Sequence, residues 1–520
     1  MKPLHTLTVH EAAALLASRA LSPVDLTAHF LARIERLDHS LVAFLHVDAE
    51  GALRAARQAE AEIEAGRYRG PLHGIPFAVK DNFAAAGLPM TVGSRVRAGQ
   101  VPAEDADSVA RLRRAGAILL GKLNTWEYGT GNANISFDLP TPPARNPWST
   151  AHFTGGSSSG SGAALAGGLA LFTLGSDTGG SVRLPAAACG VFGLKPTLGR
   201  ISRRGVLPNC YSFDTVGVLA RCAIDSALVL DALAGHDPHD PMSATRPHTP
   251  LAPGLVPDVR GLRVGWVSCG GMPVQAPVLQ ALGRAARALE AAGAVVEPVE
   301  MPLPPSDYRR VSAIINWSES FAIHREDFLQ HEDLMGHALR EKLLKGQAVP
   351  ASAYIDAQRS RRVLIERTNE LFERFDLLLL PTAADVAPLI DDEAAVRAFT
   401  VDAATHAFSL TGHPAMAVPA GLWKGLPVSV QLGARHFDEA RLLAASAVLE
   451  SCGVPGIVPD AVLDAHCDHR AMAPQPALRL AARHLQDDVL TAVRALPRPD
   501  AREVEPADVH WRGQWDAAAV

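Results

Sequence analysis

The first 66 residues alternate apolar and polar positions with the period of a helix. Ser22 and Pro23 mark one helix start, because serine caps a helix and proline suits its first position. Apolar residues then recur at spacings of three and four. They are Leu26, Phe30, Ile34 and Leu37. A second helical pattern ends at Gly66, so residues 1–66 are expected to form a helical segment packed on the core.

From Pro71 onward, short apolar runs alternate with helical patterns. The runs are IPFAVKD, AILLGK, GVFGLKPT, LRVGWV, AVVEPVEMP, DLLLLPT, AMAVPAG and PVSVQLG. The helical patterns are DSVARLRRAG, GSGAALAGGLALF and residues near 223–234, 275–292 and 355–375. Runs this apolar are typical of strands buried on both faces. The alternation therefore predicts an α/β fold with one large sheet covered by helices.

Domain boundaries follow from the same pattern. No linker, charge run or internal repeat divides residues 67–450, so they are expected to form one large domain. Beyond residue 450 the pattern loosens. Residues 451–520 are expected to be a C-terminal extension with a helix near 476–494.

Composition and charge exclude several classes of function. The chain has 520 residues and a formal net charge of -6, without a basic tract that would favour nucleic acid as a partner. It shows neither a signal peptide nor an apolar run long enough to span a bilayer. Six cysteines without C-x-x-C spacing argue against disulfides and zinc, and HCDH at 466–469 is interpreted as a polar surface patch. We expect a cytoplasmic protein without a membrane or nucleic-acid partner.

Two motifs resemble functional signatures but lack their context. GAILLGKL at 116–123 nearly fits a phosphate-binding loop, but Leu123 replaces the hydroxyl that holds magnesium. GSSSG at 156–160 fits the nucleophile elbow of a hydrolase, with Ser158 as nucleophile. The residues before it are polar and include proline, whereas that elbow follows an apolar strand. A flexible linker also fits poorly, because the stretch runs directly into an Ala/Gly-rich helix.

Four stretches together carry a resemblance to a known family. They are GIPFAVKDN, TGGSSSGSGAALAGG, GSDTGGSVRLPAAACGVFGLKPT and GLPVSVQLGARHFDEARLL, in this order over roughly residues 66–450. The chain resembles the amidase signature family. The resemblance implies a mixed, twisted sheet covered by helices and a Ser–cis-Ser–Lys triad. It implies Ser181 as nucleophile, Ser157 as the cis-serine and Lys80 as base, with no metal or organic cofactor.

The chemistry of these residues agrees with that implication. A serine hydroxyl needs a base, and lysine is a base only when it is neutral. At its ordinary pKa near 10.4, only about one lysine in 2,500 is neutral at pH 7, so burial must lower the pKa of Lys80. The apolar IPFAV before Lys80 favours such burial. Hydroxyls of Ser157 and Ser158 are the candidate relays to Ser181.

The second glycine-rich loop predicts an anion site. Glycines allow successive backbone N–H groups to converge on one point, which would bind the oxyanion of the reaction. The candidate donors are Thr178, Gly179, Gly180 and Ser181. Asp177 and Arg183 are interpreted as an ion pair that clamps this loop. The alternative is that Arg183 binds a carboxylate of the substrate.

Substrate choice stays open at this level. NTWEYGTGN at 124–132 corresponds to a pocket segment of the family, so Tyr128 and Gly129 are candidate substrate contacts, although Trp126 and Tyr128 fit a core equally well. The main expectation is hydrolysis of a small aliphatic or aryl amide. The alternatives are the glutamine-hydrolysing component of a tRNA amidotransferase, a carbamate, urethane or allophanate hydrolase, and a non-catalytic scaffold. A homodimer stays open because dimers are the commonest assembly.

Overall fold

One mixed sheet forms the centre of the molecule. The computed structural model describes residues 2–130, 135–453, 457–465 and 482–496. Within them, eleven strands hydrogen-bond in the order β1-β3-β2-β4-β6-β5-β10-β11-β9-β7-β8. The strands are β1 (Phe44–Val47), β2 (Pro76–Lys80), β3 (Ile118–Leu123), β4 (Phe172–Asp177), β5 (Phe192–Lys195), β6 (Thr215–Ala220), β7 (Arg263–Val267), β8 (Val295–Val299), β9 (Leu377–Pro381), β10 (Ala415–Trp423) and β11 (Leu426–Ala434).

Helices pack against this sheet and connect its strands, so the predicted α/β class is confirmed. The first eight are α1 (Val9–Ala17), α2 (Pro23–Leu41), α3 (Ala49–Glu64), α4 (Asp107–Arg114), α5 (Ser159–Ala166), α6 (Arg183–Cys189), α7 (Ala223–Leu233) and α8 (Ala276–Ala291). The others described are α9 (Pro305–His331), α10 (His337–Ala348), α11 (Ala351–Arg374), α12 (Glu393–Val401), α13 (Thr405–Thr411), α14 (Glu439–Leu449), α15 (Asp460–Asp464) and α16 (Ala482–Arg494).

The predicted start of α2 is confirmed. The Ser22 hydroxyl accepts hydrogen bonds from the backbone N–H groups of Val24 and Asp25, and Pro23 occupies the first turn. The helix ends where Val42 adopts a left-handed conformation with φ of 50°. A serine cap satisfies N–H groups that a helix start leaves without partners, which fixes where α2 begins.

Strand β2 is buried along its whole length, and its place in the sheet positions the site. It pairs in parallel with β3 and β4, and Phe77 stacks on Phe172 with ring centroids 5.2 Å apart. Because parallel strands point the same way, their carboxyl ends meet at one edge of the sheet. Lys80, the last residue of β2, therefore lies beside the end of β4, which carries Ser176 and Asp177.

Two predictions about elements were wrong, and strand β6 was missed. Residues 1–66 are not wholly helical, because Phe44–Val47 forms β1 and pairs antiparallel with β3 at the edge of the sheet. The helix predicted from GSGAALAGGLALF is shorter, since α5 ends at Ala166 and β4 already begins at Phe172. Strand β6 lies between β4 and β5 and was not predicted at all. All three errors concern short elements that tertiary pairing defines.

The C-terminal extension is described only in part. The predicted helix near 476–494 is confirmed for α16, where Val489 is buried in a cluster with residues of α9 and α11. Asp488 of α16 also pairs with Lys345 of α10 at 2.9 Å. The HCDH motif at 466–469 lies outside the described residues. Among the residues that are described, no helix is long and apolar enough to cross a membrane.

Candidate active site

Lys80 is fully buried and faces two serine hydroxyls instead of a carboxylate. Its Nζ lies 2.7 Å from Oγ of Ser157 and 2.9 Å from Oγ of Ser176. Burial lowers the pKa of Lys80 to about 7, although the negative charges of Asp214 and Asp177 oppose this shift. An amine in this state exchanges its proton readily near neutral pH.

Ser157 connects this amine to the loop that follows β3. The peptide bond between Gly156 and Ser157 is cis, and the Ser157 hydroxyl donates to the carbonyl oxygen of Gly129 at 2.6 Å. Gly156 packs against the indole of Trp126 so closely that an added Cβ would lie 2.2 Å from a ring carbon. Only glycine fits here, so the glycine beside Ser157 is required by packing.

Ser181 lies next to this segment and faces a small cavity of about 100 Å³. Its side chain is partly exposed, whereas Lys80 and Ser157 are fully buried. The backbone N–H of Ser158 donates to the carbonyl of Ser181 at 3.2 Å, which holds the two loops together. The structure thus brings together three of the predicted residues, with the accessible hydroxyl on Ser181.

Ser158 occupies a different place from the one that the sequence suggested. Its hydroxyl donates to the carbonyl oxygen of Ser176 at 3.3 Å. Among the hydrogen bonds of the described residues, none joins this hydroxyl to Lys80 or to the side chain of Ser181. Ser158 therefore ties the start of α5 to the end of β4, and the relay by way of Ser158 was wrong.

One of the four predicted donors of the anion site, the N–H of Gly180, is wrong. The N–H of Gly180 donates to Asp177 at 2.9 Å, so it is already occupied and cannot serve a substrate oxyanion. Within the described chain, the N–H groups of Thr178, Gly179 and Ser181 have no protein acceptor, and all three residues line the cavity. Gly180 supplies conformation instead, with φ of +127° and no room for a Cβ beside Thr405.

Arg183 and Asp177 form the predicted ion pair. Both side chains are fully buried, with Nη2 and Nε of Arg183 at 2.9 and 3.0 Å from the two carboxylate oxygens. Burial alone would raise the pKa of Asp177, but the charge and hydrogen bonds of Arg183 lower it to about 2. The remaining donors of Arg183 bind Thr405, Ser409 and Gln431. The alternative that Arg183 binds a substrate carboxylate is therefore wrong.

Only one of the two predicted substrate contacts lines the cavity. Gly129 lines the cavity, as does Trp126. Tyr128 is fully buried, does not line the cavity, and donates its hydroxyl hydrogen to Asp327 at 2.6 Å. Because that hydroxyl is also bound by Arg97, the ring fills the core and Tyr128 is not a substrate contact.

Helix α9 supplies cavity residues that sequence reasoning missed. They are Arg309, Ser312, Ala313, Asn316 and Trp317. Their spacing of three and four residues places them on one face of α9. This helical period in the sequence is the signal that could have grouped them. Lys342 of α10 also lines the cavity and donates to Asn209 at 2.7 Å. Burial lowers the pKa of Lys342 to about 7.

The described residues offer no metal centre. No group of three or more histidine, cysteine, aspartate or glutamate side chains among them has the arrangement to hold a metal ion.

Proteins of known kind resemble this chain along most of its length. A curated relative from Moorella thermoacetica, the A subunit of glutamyl-tRNA(Gln) amidotransferase, is 38% identical over 477 residues. The match covers 86% of this chain and 96% of the relative.

Solved structures agree in fold. A protein from a vestigial complex, which reveals the evolutionary origins of an s-triazine catabolic enzyme, matches with a TM-score of 0.81 and 34% identity, over 86% of this chain and 99% of its own. The peptide amidase from Stenotrophomonas maltophilia matches with a TM-score of 0.77 and 33% identity, over 86% and 98%.

The family model for amidases matches residues 25–443, which include the whole Lys80, Ser157 and Ser181 cluster. The matched segment runs from the first turn of α2 into α14, so it spans the entire central sheet. The chain therefore belongs to the amidase signature family and is an enzyme that acts on C–N amide bonds.

Proposed function

We propose that the chain hydrolyses a small amide by acyl transfer to Ser181, with Ser157 and Lys80 moving the proton. The observation that carries this proposal is the buried Lys80 amine, 2.7 Å from Oγ of Ser157, with its pKa lowered to about 7. About half of such amines are neutral at pH 7, against about one in 2,500 at the ordinary pKa. A lysine in this state can act as a general base.

The proton path follows from the contacts of Ser157. Its oxygen lies 2.7 Å from Nζ of Lys80 and 2.6 Å from the carbonyl of Gly129, so the hydroxyl hydrogen can turn between them without movement of heavier atoms. Ser181 attacks the amide carbon and gives its proton to Ser157, whose own proton passes to Lys80. Lys80 then returns a proton to the leaving amine, and water hydrolyses the acyl-enzyme by the same path.

The negative oxygen of the tetrahedral intermediate needs donors in the same cavity. The N–H groups of Thr178, Gly179 and Ser181 are the candidates, since these residues line the cavity and their N–H groups have no acceptor within the described chain. Each well-placed donor of this kind contributes about 3–4 kcal/mol of transition-state stabilisation. Asp177 supports them indirectly, because it holds the N–H groups of Gly180 and Val182 and so fixes the course of the loop.

Of the substrate hypotheses, the relatives favour the amidotransferase component over the stand-alone amidase, and hydrolysis of a carbamate, urethane or allophanate is the third. The main expectation from sequence was a stand-alone amidase for small aliphatic or aryl amides, and the peptide amidase neighbour keeps it in view. The name of the 38% identical relative favours the glutamine-hydrolysing component of a tRNA amidotransferase. Under that hypothesis the chain would work with other subunits and tRNA, contrary to the expectation of no nucleic-acid partner.

The test uses the purified full chain and measures ammonia or amine release from glutamine, small aliphatic amides, anilides and a carbamate. Hydrolysis by the wild type and its loss in Ser181→Ala are expected, with Ser451→Ala, an exposed serine, as the matched control. A serine-reactive fluorophosphonate should label Ser181, as mapped by peptide mass spectrometry. Hydrolysis that survives Ser181→Ala would contradict the proposal. Efficient turnover of simple amides by the purified chain, without partner proteins, would favour the stand-alone amidase over the amidotransferase hypothesis.

A further inference from the structure

The cavity at Ser181 contains a cation that the mechanism does not use. Arg309 lies in the second turn of α9, lines the cavity and is partly buried. Within the described residues, no carboxylate lies within ion-pairing distance of its guanidinium, and no hydrogen bond satisfies it. Burial lowers the pKa of Arg309 to about 10, and the charge of Arg397 adds to this while Asp402 opposes it. A desolvated cation of this kind calls for an anionic partner.

A second unsatisfied donor lies on the same face of the helix. Nδ2 of Asn316 is buried and has no acceptor in the described part of the protein. Asn316 follows Arg309 by seven residues, two helical turns, and both line the one cavity. Buried donors are rarely left without partners, so each one needs an explanation. An acceptor bound in the cavity would satisfy both.

Arg309 lies close to the loop that carries the nucleophile. The imidazole of His406 packs against Gly179 so closely that an added Cβ there would lie 3.0 Å from Cε1. Burial lowers the pKa of His406 to about 3, and the positive charge of Arg309 contributes to that shift. His406 is therefore in the field of Arg309 and in contact with the catalytic loop. Arg309 and Ser181 both line the cavity of about 100 Å³, so a small molecule bound there would lie between them.

We infer that Arg309, together with Asn316, binds a carboxylate group of the substrate, so that the enzyme selects small amides carrying a carboxylate over neutral amides. Arginine suits this task because its planar fork binds a carboxylate through two parallel hydrogen bonds. This inference deepens the proposed function and rests on it, since it takes the cavity at Ser181 as the substrate site. It also assigns to Arg309 the role that sequence reasoning had considered for Arg183.

The binding test separates recognition from catalysis. In Ser181→Ala, the affinities for malonamate, succinamate and glutaramate are measured by calorimetry, each against its uncharged diamide of nearly equal size. We expect at least one acid amide to bind about tenfold or more tightly than its diamide. Arg309→Met in the same background should reduce that ratio to about one, and Arg309→Lys should restore part of it, because charge returns without the fork.

Arg310→Met is the matched control, because Arg310 neighbours Arg309 on α9, pairs with Asp307 and does not line the cavity. It should leave the ratio unchanged. The inference is overturned if none of the three acid amides binds more tightly than its diamide. It is equally overturned if Arg309→Met keeps the ratio, or if Arg310→Met removes it as well.

Turnover measurements then separate the role of Arg309 from the proposed hydrolysis at Ser181. With Ser181 intact, Arg309→Met should lower kcat/KM for the preferred acid amide about 100-fold, mainly through KM, because the carboxylate lies away from the reacting bond. Selective binding without any hydrolysis by the wild type would contradict the proposed function while leaving Arg309 as the carboxylate site. Hydrolysis of acid amides and diamides with equal kcat/KM would contradict the role of Arg309 while leaving the proposed function in place.

Discussion

Two buried lysines on neighbouring strands show how similar burial leads to different chemistry. Lys80 ends β2 and Lys122 lies in β3, where it is paired with Val79 in the parallel register. Both side chains are completely buried, and burial lowers the pKa of each. Lys122 has the carboxylate of Asp81 at 2.7 Å, whereas Lys80 faces the hydroxyls of Ser157 and Ser176.

The difference teaches that burial alone does not make a lysine a base. Next to Lys122, the negative charge of Asp81 opposes the lowering of the lysine pKa by burial. The two side chains form a buried ion pair, which is a structural contact. Next to Lys80, the carboxylates of Asp214 and Asp177 act only as more distant charges, and a hydroxyl takes the position nearest the amine. We therefore interpret Lys122 as structural and Lys80 as chemical.

Lys80→Met should produce the largest effect. Amide hydrolysis is expected to fall by on the order of 10⁴-fold or more, as when one member of a catalytic triad is removed. The fold should persist, because no carboxylate loses its direct ion pair. Steady-state ammonia release and circular dichroism measure the two properties, with the exposed Lys424→Met as control. Near-normal turnover in Lys80→Met would contradict the interpretation of Lys80 as the base.

Ser157→Ala should have the next largest effect. Removal of the hydroxyl interrupts the path between Ser181 and Lys80, so kcat is expected to fall about 10²–10⁴-fold, the usual contribution of a positioned proton-transfer group. The measurement is kcat at saturating substrate and at a pH above 7. A loss smaller than tenfold would show that the proton of Ser181 leaves by another way.

Lys122→Met should affect stability more than any substitution of Lys80. It leaves Asp81 buried without its ion-pair partner, which lowers the free energy of unfolding by about 3–5 kcal/mol. Urea denaturation followed by fluorescence measures this change. Asp81→Asn in the same chain should recover part of the loss, because it removes the stranded charge. Equal destabilisation by Lys80→Met and Lys122→Met would contradict the division into structural and chemical lysines.

The pH profile should give the smallest effect. In the proposed mechanism the uncharged amine of Lys80 is the active form, and its pKa is lowered to about 7. Activity should therefore be low below pH 7, rise through that value and level off above it, by about tenfold between pH 6 and pH 8. A profile of kcat/KM over this range provides the check. A rise only above pH 9 would mean that Lys80 keeps its ordinary pKa.

The proposed catalytic cluster could be predicted because the residues that form it stand in recognisable local motifs. Gly156 and Ser157 stand together in one short motif, and the apolar IPFAV before Lys80 predicted a buried strand that the structure contains. The oxyanion donors were predicted less well. Sequence could not show that Asp177 takes the N–H of Gly180, because that contact depends on the turn the loop makes.

The proposed carboxylate-binding residue could not be predicted because it lies far from the catalytic motifs along the chain. Arg309 lies more than 120 residues after Ser181 and meets it only through the packing of α9 over the cavity. Tyr128 shows the opposite error. Its position in a pocket-like motif suggested a substrate contact, but its ring is buried in the core and its hydroxyl binds Asp327. Side-chain direction follows tertiary packing, which a one-dimensional pattern does not contain.

Helix α9 contacts both the cavity and the residues that position Ser157. One part of it presents Arg309 to the cavity, and 18 residues further, about 27 Å along an ideal helix, Asp327 holds the hydroxyl of Tyr128. The residue after Tyr128, Gly129, is the acceptor for Ser157. The same helix therefore contacts both the proposed carboxylate site and, through Tyr128, the segment that positions Ser157. A tilt of α9 would change both together under the proposed mechanism.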